Sequence, residues 1–165
     1  MRHAMPGRSI VVLMCTVVSL AACGWRLQGA AKLSPTMTVT FVDAEDRYTD
    51  FNRALRDRLR ASGAKVTERA GDATAVVKII KDQTGQRVLS VSARNTPEEY
   101  EVFYTVEYSV TSGGTELIPR QKLELTRDYS YDTTAVLAKE REQAVLREAL
   151  AQDLAGLVLR RLASL

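Results

Sequence analysis

Few residue types in this 165-residue chain could take part in covalent chemistry. It contains two cysteines, Cys15 and Cys23, and a single histidine, His3. Cys23 follows Leu20-Ala21-Ala22, which resembles the lipobox of secreted lipoproteins, where the cysteine sulfur receives a diacylglyceryl group and the chain is cut before it. The thiol of Cys23 is therefore predicted to carry lipid rather than to act as a nucleophile.

The residues before Cys23 have the three-part layout of a secretion signal. Arg2 and Arg8 supply positive charge, residues 9–20 form a nearly unbroken apolar run, and small residues precede the cysteine. About a dozen apolar residues are fewer than the roughly 20 that a membrane-spanning helix needs. The sequence thus predicts a lipoprotein signal over residues 1–22. An ordinary cleaved signal with an incidental cysteine is the alternative.

Lipid on Cys23 would also determine where the protein resides. Each buried CH₂ contributes about 0.8 kcal/mol, so one acyl chain holds only marginally and two or three hold stably. In lipoproteins of Gram-negative bacteria an Asp after the cysteine favours retention in the inner membrane, whereas this chain has Gly24. We therefore expect a lipid anchor in the outer membrane, on its periplasmic side.

The loss of residues 1–22 would leave little for catalysis. His3 and Cys15 would be removed and Cys23 lipidated, which excludes a Ser-His-Asp triad, a Cys-His pair, a disulfide and the usual zinc sites. Without the two arginines of the signal, 21 basic residues face 20 acidic ones, so nucleic-acid binding is not expected. A hydrolase with two carboxylates is an alternative, but no spacing suggests such a pair. We expect no enzyme and no cofactor besides the covalent lipid.

A single domain over residues 36–165, preceded by a tether over residues 23–35, would have to position any binding site. Its first helix is predicted from apolar residues at helical spacing: Phe51, Ala54, Leu55 and Leu59. Thr49 or Asp50 can cap the start of this helix, and Gly63 can end it. Its other face is basic, which a solvated helix face explains more simply than a partner site.

Alternating and β-branched residues predict strands over residues 36–42, 73–93, 99–110 and 117–131, and residues 65–68 could add a short one. The stretch 73–93 is either two strands or one long strand with a bulge at Gly85. The bulge is favoured, because glycine inside a strand pattern often marks one. Gly113 and Gly114 suit a hairpin turn, and Pro119 predicts that the strand after it begins at a sheet edge.

Tyr100, Tyr104 and Tyr108 share one face of the strand over residues 99–110 with interleaved valines. A row of aromatic rings could be a ligand platform. Beside valines at the same period it is more often a core face whose hydroxyls reach the rim, and we predict core.

A long helix is predicted from residue 134 onward, with an apolar stripe formed by Leu146, Leu150, Leu154, Leu157, Val158 and Leu162. At 1.5 Å per residue it would be roughly 40 Å long. The stripe is not sustained over several heptads, which disfavours a coiled coil. The predicted fold class is α+β, with two helices packed on one face of a mostly antiparallel sheet of about four strands.

Four segments point to a family: residues 23–29 (CGWRLQG), 52–59 (NRALRDRL), 127–132 (RDYSYD) and 136–143 (VLAKEREQ). Together, and in this order, they resemble the LptE family of lipopolysaccharide-assembly lipoproteins. The resemblance covers essentially the whole chain after residue 22. No one of the segments would suffice alone.

The resemblance implies a partner and a ligand. LptE-like proteins sit as a plug inside the outer-membrane β-barrel LptD and bind lipopolysaccharide on its way to the outer leaflet. Arg94 and Lys139 match basic lipopolysaccharide-contacting positions of the family. Alternatively, Arg94 merely caps a strand edge and Lys139 pairs with Glu142 or Gln143 within its helix. A generic lipoprotein of another envelope assembly complex is the competing function.

Overall fold

The computed structural model describes residues 33–130 and 136–165. Cys23, the predicted signal and most of the predicted tether lie outside the described residues. In chain order the elements are β1 (Val39–Asp43), α1 (Asp50–Ala61), β2 (Lys65–Thr67), β3 (Ala75–Val91), β4 (Pro97–Ser112), β5 (Thr115–Ser130) and α2 (Val136–Ala163). Short 3-10 turns occupy Pro35–Met37 and Ala70–Asp72.

The five strands form one mixed sheet in the order β2-β1-β3-β4-β5. β1 pairs in parallel with both β2 and β3, whereas β3, β4 and β5 form an antiparallel meander. The α+β class with two helices on a mostly antiparallel sheet is confirmed. The sheet has five strands rather than about four because Lys65–Thr67 pairs with β1. β5 lies at the sheet edge, as Pro119 indicated.

Helix α1 begins and ends where the sequence predicts. The side chain of Thr49 is the N-cap, and its Oγ1 accepts a 3.1 Å hydrogen bond from the backbone N–H of Asn52. Gly63, just past the end, has φ +90°, a conformation that glycine adopts without steric cost.

Tyr104 and Tyr108 of β4 are core residues, as predicted, and Tyr100 is partly buried against the core. Tyr104 and Tyr108 are each 2% exposed and lie between fully buried valines of the same strand. The core also takes side chains from both helices, among them Phe51, Leu55 and Leu154. The two helices cover one face of the sheet and leave the other uncovered.

β3 is one long strand, but the predicted bulge at Gly85 is wrong. The register shifts instead between Ile79 and Lys81 and near Val88, whereas Gly85 pairs in register with Phe103. A Cβ at Gly85 would lie 2.6 Å from the Phe103 ring. The glycine is therefore needed for the close approach of a ring rather than for a bulge.

Helices α1 and α2 run in the same direction. Asp50, at the start of α1, accepts a 2.8 Å hydrogen bond from Nε of Arg147, and Arg58, near its end, lies against Gly156. The first eleven residues of α2 therefore extend about 16 Å beyond the start of α1. They extend over the half of the meander that neither α1 nor β1 reaches.

The molecule consequently has two unlike ends. The distal end comprises the β3–β4 hairpin and the start of α2. The proximal end comprises the chain around Leu33, the β4–β5 turn and the C-terminal ends of both helices. Hydrogen bonds connect neighbouring segments at the proximal end. The backbone N–H of Lys65 donates to Thr38 O at 2.8 Å, and Oγ of Ser112 donates to Thr74 O at 2.8 Å. Five strands and two helices make the proximal half wide; three strands and one helix make the distal half narrow.

Candidate functional site

Arg94 lies in the turn that joins β3 to β4, at the tip of the distal hairpin. The turn is closed by backbone hydrogen bonds from Ser92 N–H to Thr96 O (2.8 Å) and from Asn95 N–H to Ser92 O (2.9 Å). Asn95 adopts φ 59°, a left-handed conformation that Asn tolerates. Arg94 is exposed, so its guanidinium is available to a ligand or partner.

Apolar side chains accompany this charge. Val88, Leu89 and Val91 are 47%, 47% and 51% exposed, and Leu89 sits at a shift in the β3–β4 register. Three exposed aliphatic residues next to an arginine make the hairpin tip amphiphilic. Single apolar residues scattered over a surface need no explanation, but three exposed ones in the same hairpin do. Together with the arginine, they suit a ligand that carries both acyl chains and phosphates.

Lys139 lies in the first turn of α2, also in the distal half, but it is only 8% exposed. Its Nζ is buried in this conformation, and its contact with lipopolysaccharide stays a prediction. Its long side chain is thus buried, whereas that of Arg94 is exposed. The structure brings both residues to the distal half of the molecule, one covered and one exposed.

The uncovered sheet face carries alternating charges rather than an apolar surface. Arg87 is paired with Glu101, Arg120 with Glu107, and Lys122 with Glu124. Arg87 also lies 5.7 Å from the centroid of the Phe103 ring, within the range of a cation–π contact. This face is suited to a polar, water-containing surrounding.

A polar network ties the start of α1 to the sheet. Asp82 of β3 accepts hydrogen bonds from the Tyr104 hydroxyl (2.8 Å) and the Thr49 hydroxyl (2.5 Å). Burial raises the pKa of the Asp82 carboxyl, against the opposing effect of these two hydrogen bonds. Burial, followed by the hydrogen bond to Asp82, raises the pKa of Tyr104 as well.

An open groove of about 440 Å³ leads to this network and is lined in part by Glu45, Asp46 and Asp82. It is the place where a carboxylate-based hydrolase would have its acids. Both oxygens of Asp82 are engaged, however, and Oδ1 of Asp46 accepts a 2.7 Å hydrogen bond from Tyr48 N–H. The two carboxylates thus hold the loop before α1 in place.

Sequence reasoning missed Asp82 because a charged residue inside a strand pattern is normally a solvent-facing one. The only available signal was the interrupted alternation around Ile79 and Ile80, where the register shift occurs. Cys23, the predicted lipid site, lies outside the described residues. Among the residues that are described, no group of three His, Cys, Asp or Glu side chains could hold a metal ion. Neither of the described helices is both long and apolar enough to cross a membrane.

An α+β domain with a polar uncovered sheet face and a projecting amphiphilic hairpin has the features of a binding or assembly module. The family model described as LptE, lipopolysaccharide-assembly, matches residues 36–162. The chain therefore belongs to the LptE family of lipopolysaccharide-assembly lipoproteins. Its setting is lipopolysaccharide assembly at the outer membrane, and its family is one of assembly lipoproteins rather than enzymes, as the sequence predicted.

Individual relatives agree with this assignment. The chain is 25% identical to the LPS-assembly lipoprotein LptE of Pectobacterium atrosepticum, over 98% of this chain and 86% of that protein. It is 26% identical to LptE of Yersinia enterocolitica, over 98% and 77%. Among solved structures, the rare lipoprotein B from Shewanella oneidensis is similar with a TM-score of 0.67 and 32% identity, covering 76% of this chain and 94% of that one. Lipoprotein B from Nitrosomonas europaea is similar with a TM-score of 0.71 and 25% identity, covering 86% and 91%.

Proposed function

We propose that this protein is lipidated on Cys23 after removal of residues 1–22, with residues 23–35 as a tether and residues 36–165 as its one domain. Held in this way on the periplasmic side of the outer membrane, it occupies the lumen of the LptD β-barrel and binds lipopolysaccharide there. Family membership supplies the setting. The observation that carries the proposal is the length of the uncovered sheet.

The three strands of the meander are as long as the membrane is thick. β3 has 17 residues and β4 and β5 have 16 each, which corresponds to about 53 Å at 3.3 Å per residue. A bilayer with its head groups is about 40–45 Å thick. A domain that stands in a barrel with its strands along the barrel axis would therefore reach from one membrane surface to the other.

The surface of the meander supports the same placement. Barrel lumens are polar, in contrast to the apolar outside of the barrel. The ion pairs Arg87–Glu101 and Arg120–Glu107 give the uncovered face both signs of charge, so that it can face such a wall through water and polar contacts. The narrower distal half would enter first, with the hairpin tip foremost.

The tip would then meet lipopolysaccharide near the outer leaflet. A guanidinium can bind a phosphate with two parallel hydrogen bonds, and Arg94 is exposed where Val88 and Leu89 could contact acyl chains. Lys139 would take part after a local movement of α2 that uncovers it. The two residues would thus act in sequence rather than as one preformed pocket.

The test combines a partner assay and a ligand assay. Tagged protein purified from outer membranes should bring down LptD, and its recovery without a barrel of that size would overturn the lumen placement. Arg94→Asp should lose capture of labelled lipopolysaccharide, whereas Arg69→Asp, a charge reversal at another exposed arginine beside Ala70–Asp72, should not. If depletion of the protein leaves cell-surface lipopolysaccharide normal, the generic envelope lipoprotein is the better description.

A further inference from the structure

Three arginines lie near the proximal end of the helix layer, two of them in close approach, and we call them the arginine cluster: Arg58 of α1, and Arg160 and Arg161 of α2. A Cβ at Gly156 would lie 3.6 Å from Cζ of Arg58 and 3.6 Å from Nη1 of Arg160. Two guanidinium groups from different helices are therefore near neighbours over one glycine. Arg161, the next residue, lies close enough to Tyr108 for its charge to oppose the burial that raises the pKa of that hydroxyl.

The arginine cluster lacks the carboxylate partners that nine other arginines have among the described residues. Within residues 33–130 and 136–165, ion pairs are formed by Arg47, Arg53, Arg56, Arg60, Arg69, Arg87, Arg120, Arg127 and Arg147. Over the same residues the three cluster members form none, and Nε of Arg58 is buried without a hydrogen-bond partner. Asp57, the acid beside Arg58 in the chain, is 2.9 Å from Arg60.

Like charges at close range are unfavourable, and something has to offset them. The C-terminal ends of two parallel helices offset part of this repulsion, because they carry partial negative charge. An anion at the surface would offset more of it. The planar guanidinium group matches the geometry of phosphate and of carboxylate.

The position of the arginine cluster indicates where such phosphates would come from. Ten residue steps separate Cys23 from Leu33, which allows a reach of about 35 Å at most. The chain enters the fold at the proximal end, close to the ends of both helices. The distal hairpin is about 53 Å further along the strands, so the leaflet that holds the anchor faces the proximal end.

We propose that the arginine cluster binds the phosphates of anionic phospholipids in the leaflet that holds the anchor, and that this contact sets the tilt of the domain. The inference rests on the lipidation of Cys23 in the proposed function. It adds a second point of attachment, made by folded residues, to the flexible one made by the tether. Two attachments restrict orientation, whereas a tether alone does not.

The experiment uses the chain from residue 23 with Cys23→Ser, so that binding reports the surface and not the lipid. It should sediment with vesicles of phosphatidylcholine and phosphatidylglycerol but not with phosphatidylcholine alone, and less so as salt is raised. The triple variant Arg58→Gln, Arg160→Gln, Arg161→Gln should lose about tenfold or more of this partitioning. The corresponding triple Arg→Lys variant keeps the charges and should retain most of the partitioning. This variant also serves to show that the fold tolerates changes at these positions.

The matched control removes equal charge on the uncovered sheet face, with Arg87→Gln, Arg120→Gln and Lys122→Gln. An equal loss in this control would mean that net charge alone drives binding, and the inference would be wrong. It would also be wrong if the cluster variant kept vesicle binding but no longer co-purified with the barrel, since the cluster would then be a protein interface. Lipopolysaccharide capture separates the two proposals: it should depend on Arg94 and remain in the cluster variant.

Discussion

The hydroxyl of Tyr104 donates a 2.8 Å hydrogen bond to Oδ1 of Asp82 on the neighbouring strand. The oxygen of this hydroxyl also accepts a 3.2 Å hydrogen bond from the backbone N–H of Phe51 in the first turn of α1. One side chain thus joins β3, β4 and α1 at the level where the wide half of the molecule meets the narrow half.

Tyr104→Phe should lower the free energy of unfolding by about 1–3 kcal/mol. The substitution keeps the ring but leaves Oδ1 of Asp82 and the backbone N–H of Phe51 without this hydrogen bond, and about 1–3 kcal/mol is the usual cost of an unsatisfied polar group in a protein interior. Denaturant unfolding measures it. Tyr48→Phe is the control, because Tyr48 is 84% exposed and its hydroxyl should contribute almost nothing.

Asp82 should make stability depend on pH in an unusual direction. Its pKa is raised in the folded state, chiefly by burial, so the folded protein holds the Asp82 proton more tightly than the unfolded chain does. The stabilisation from this group is complete below the unfolded pKa of about 3.9 and is lost as pH rises through the folded pKa.

Asp82→Asn should therefore gain stability relative to the unsubstituted protein as pH rises from about 4 toward neutrality. Unfolding free energies at several pH values check this prediction. If the difference in unfolding free energy between the two proteins stays constant over that range, folding does not raise the pKa of Asp82.

Two glycine substitutions should have opposite signs. Gly85→Ala puts a Cβ 2.6 Å from the Phe103 ring, so the ring must move, at a cost of about 1–3 kcal/mol in stability. At Gly156 a Cβ would meet its nearest atoms at 3.6 Å, an ordinary contact. Gly156→Ala should therefore stabilise the protein by about 0.5–1 kcal/mol through helix propensity. Thermal unfolding of both variants gives the comparison, and a stabilising Gly85→Ala would contradict the role assigned to that glycine.

Charge reversal at Lys139 should affect folding as well as any ligand. Lys139 is 8% exposed, and an uncompensated carboxylate in its place should cost about 3 kcal/mol or more. Loss of lipopolysaccharide binding in Lys139→Asp would thus be ambiguous. Lys139→Met keeps the length and apolar stem of the side chain, so loss of binding with normal unfolding behaviour in this variant would implicate the ammonium itself.

Periodicity predicted those parts of the fold in which one face is buried. The stripe of Phe51, Leu55 and Leu59 and the alternation in β4 each follow from a single interface with the core, and Thr49 and Gly63 mark the ends of α1 by local geometry. The strand number was harder, because Lys65–Thr67 is held by pairing with β1 and not by a pattern of its own. The bulge predicted at Gly85 is wrong because glycine occurs both at bulges and where another group approaches the backbone closely.

The candidate site was only partly predictable. The exposure of Arg94 follows from its place in a turn, but the burial of Lys139 depends on tertiary packing, which no local pattern encodes. The arginine cluster depends on tertiary packing as well, since Arg58 and Arg160 lie about a hundred residues apart in sequence and come close only because the two helices run in parallel.

The last element of the chain also has a consequence for the order of folding. α2 supplies the central cover of the sheet through Leu150, Leu154, Val158 and Leu162, all nearly or fully buried, and it follows all five strands in chain order. Until α2 emerges from the ribosome, the meander has an apolar face and nothing to bury it against. A chain of this design therefore has no complete core until α2 has docked on the sheet.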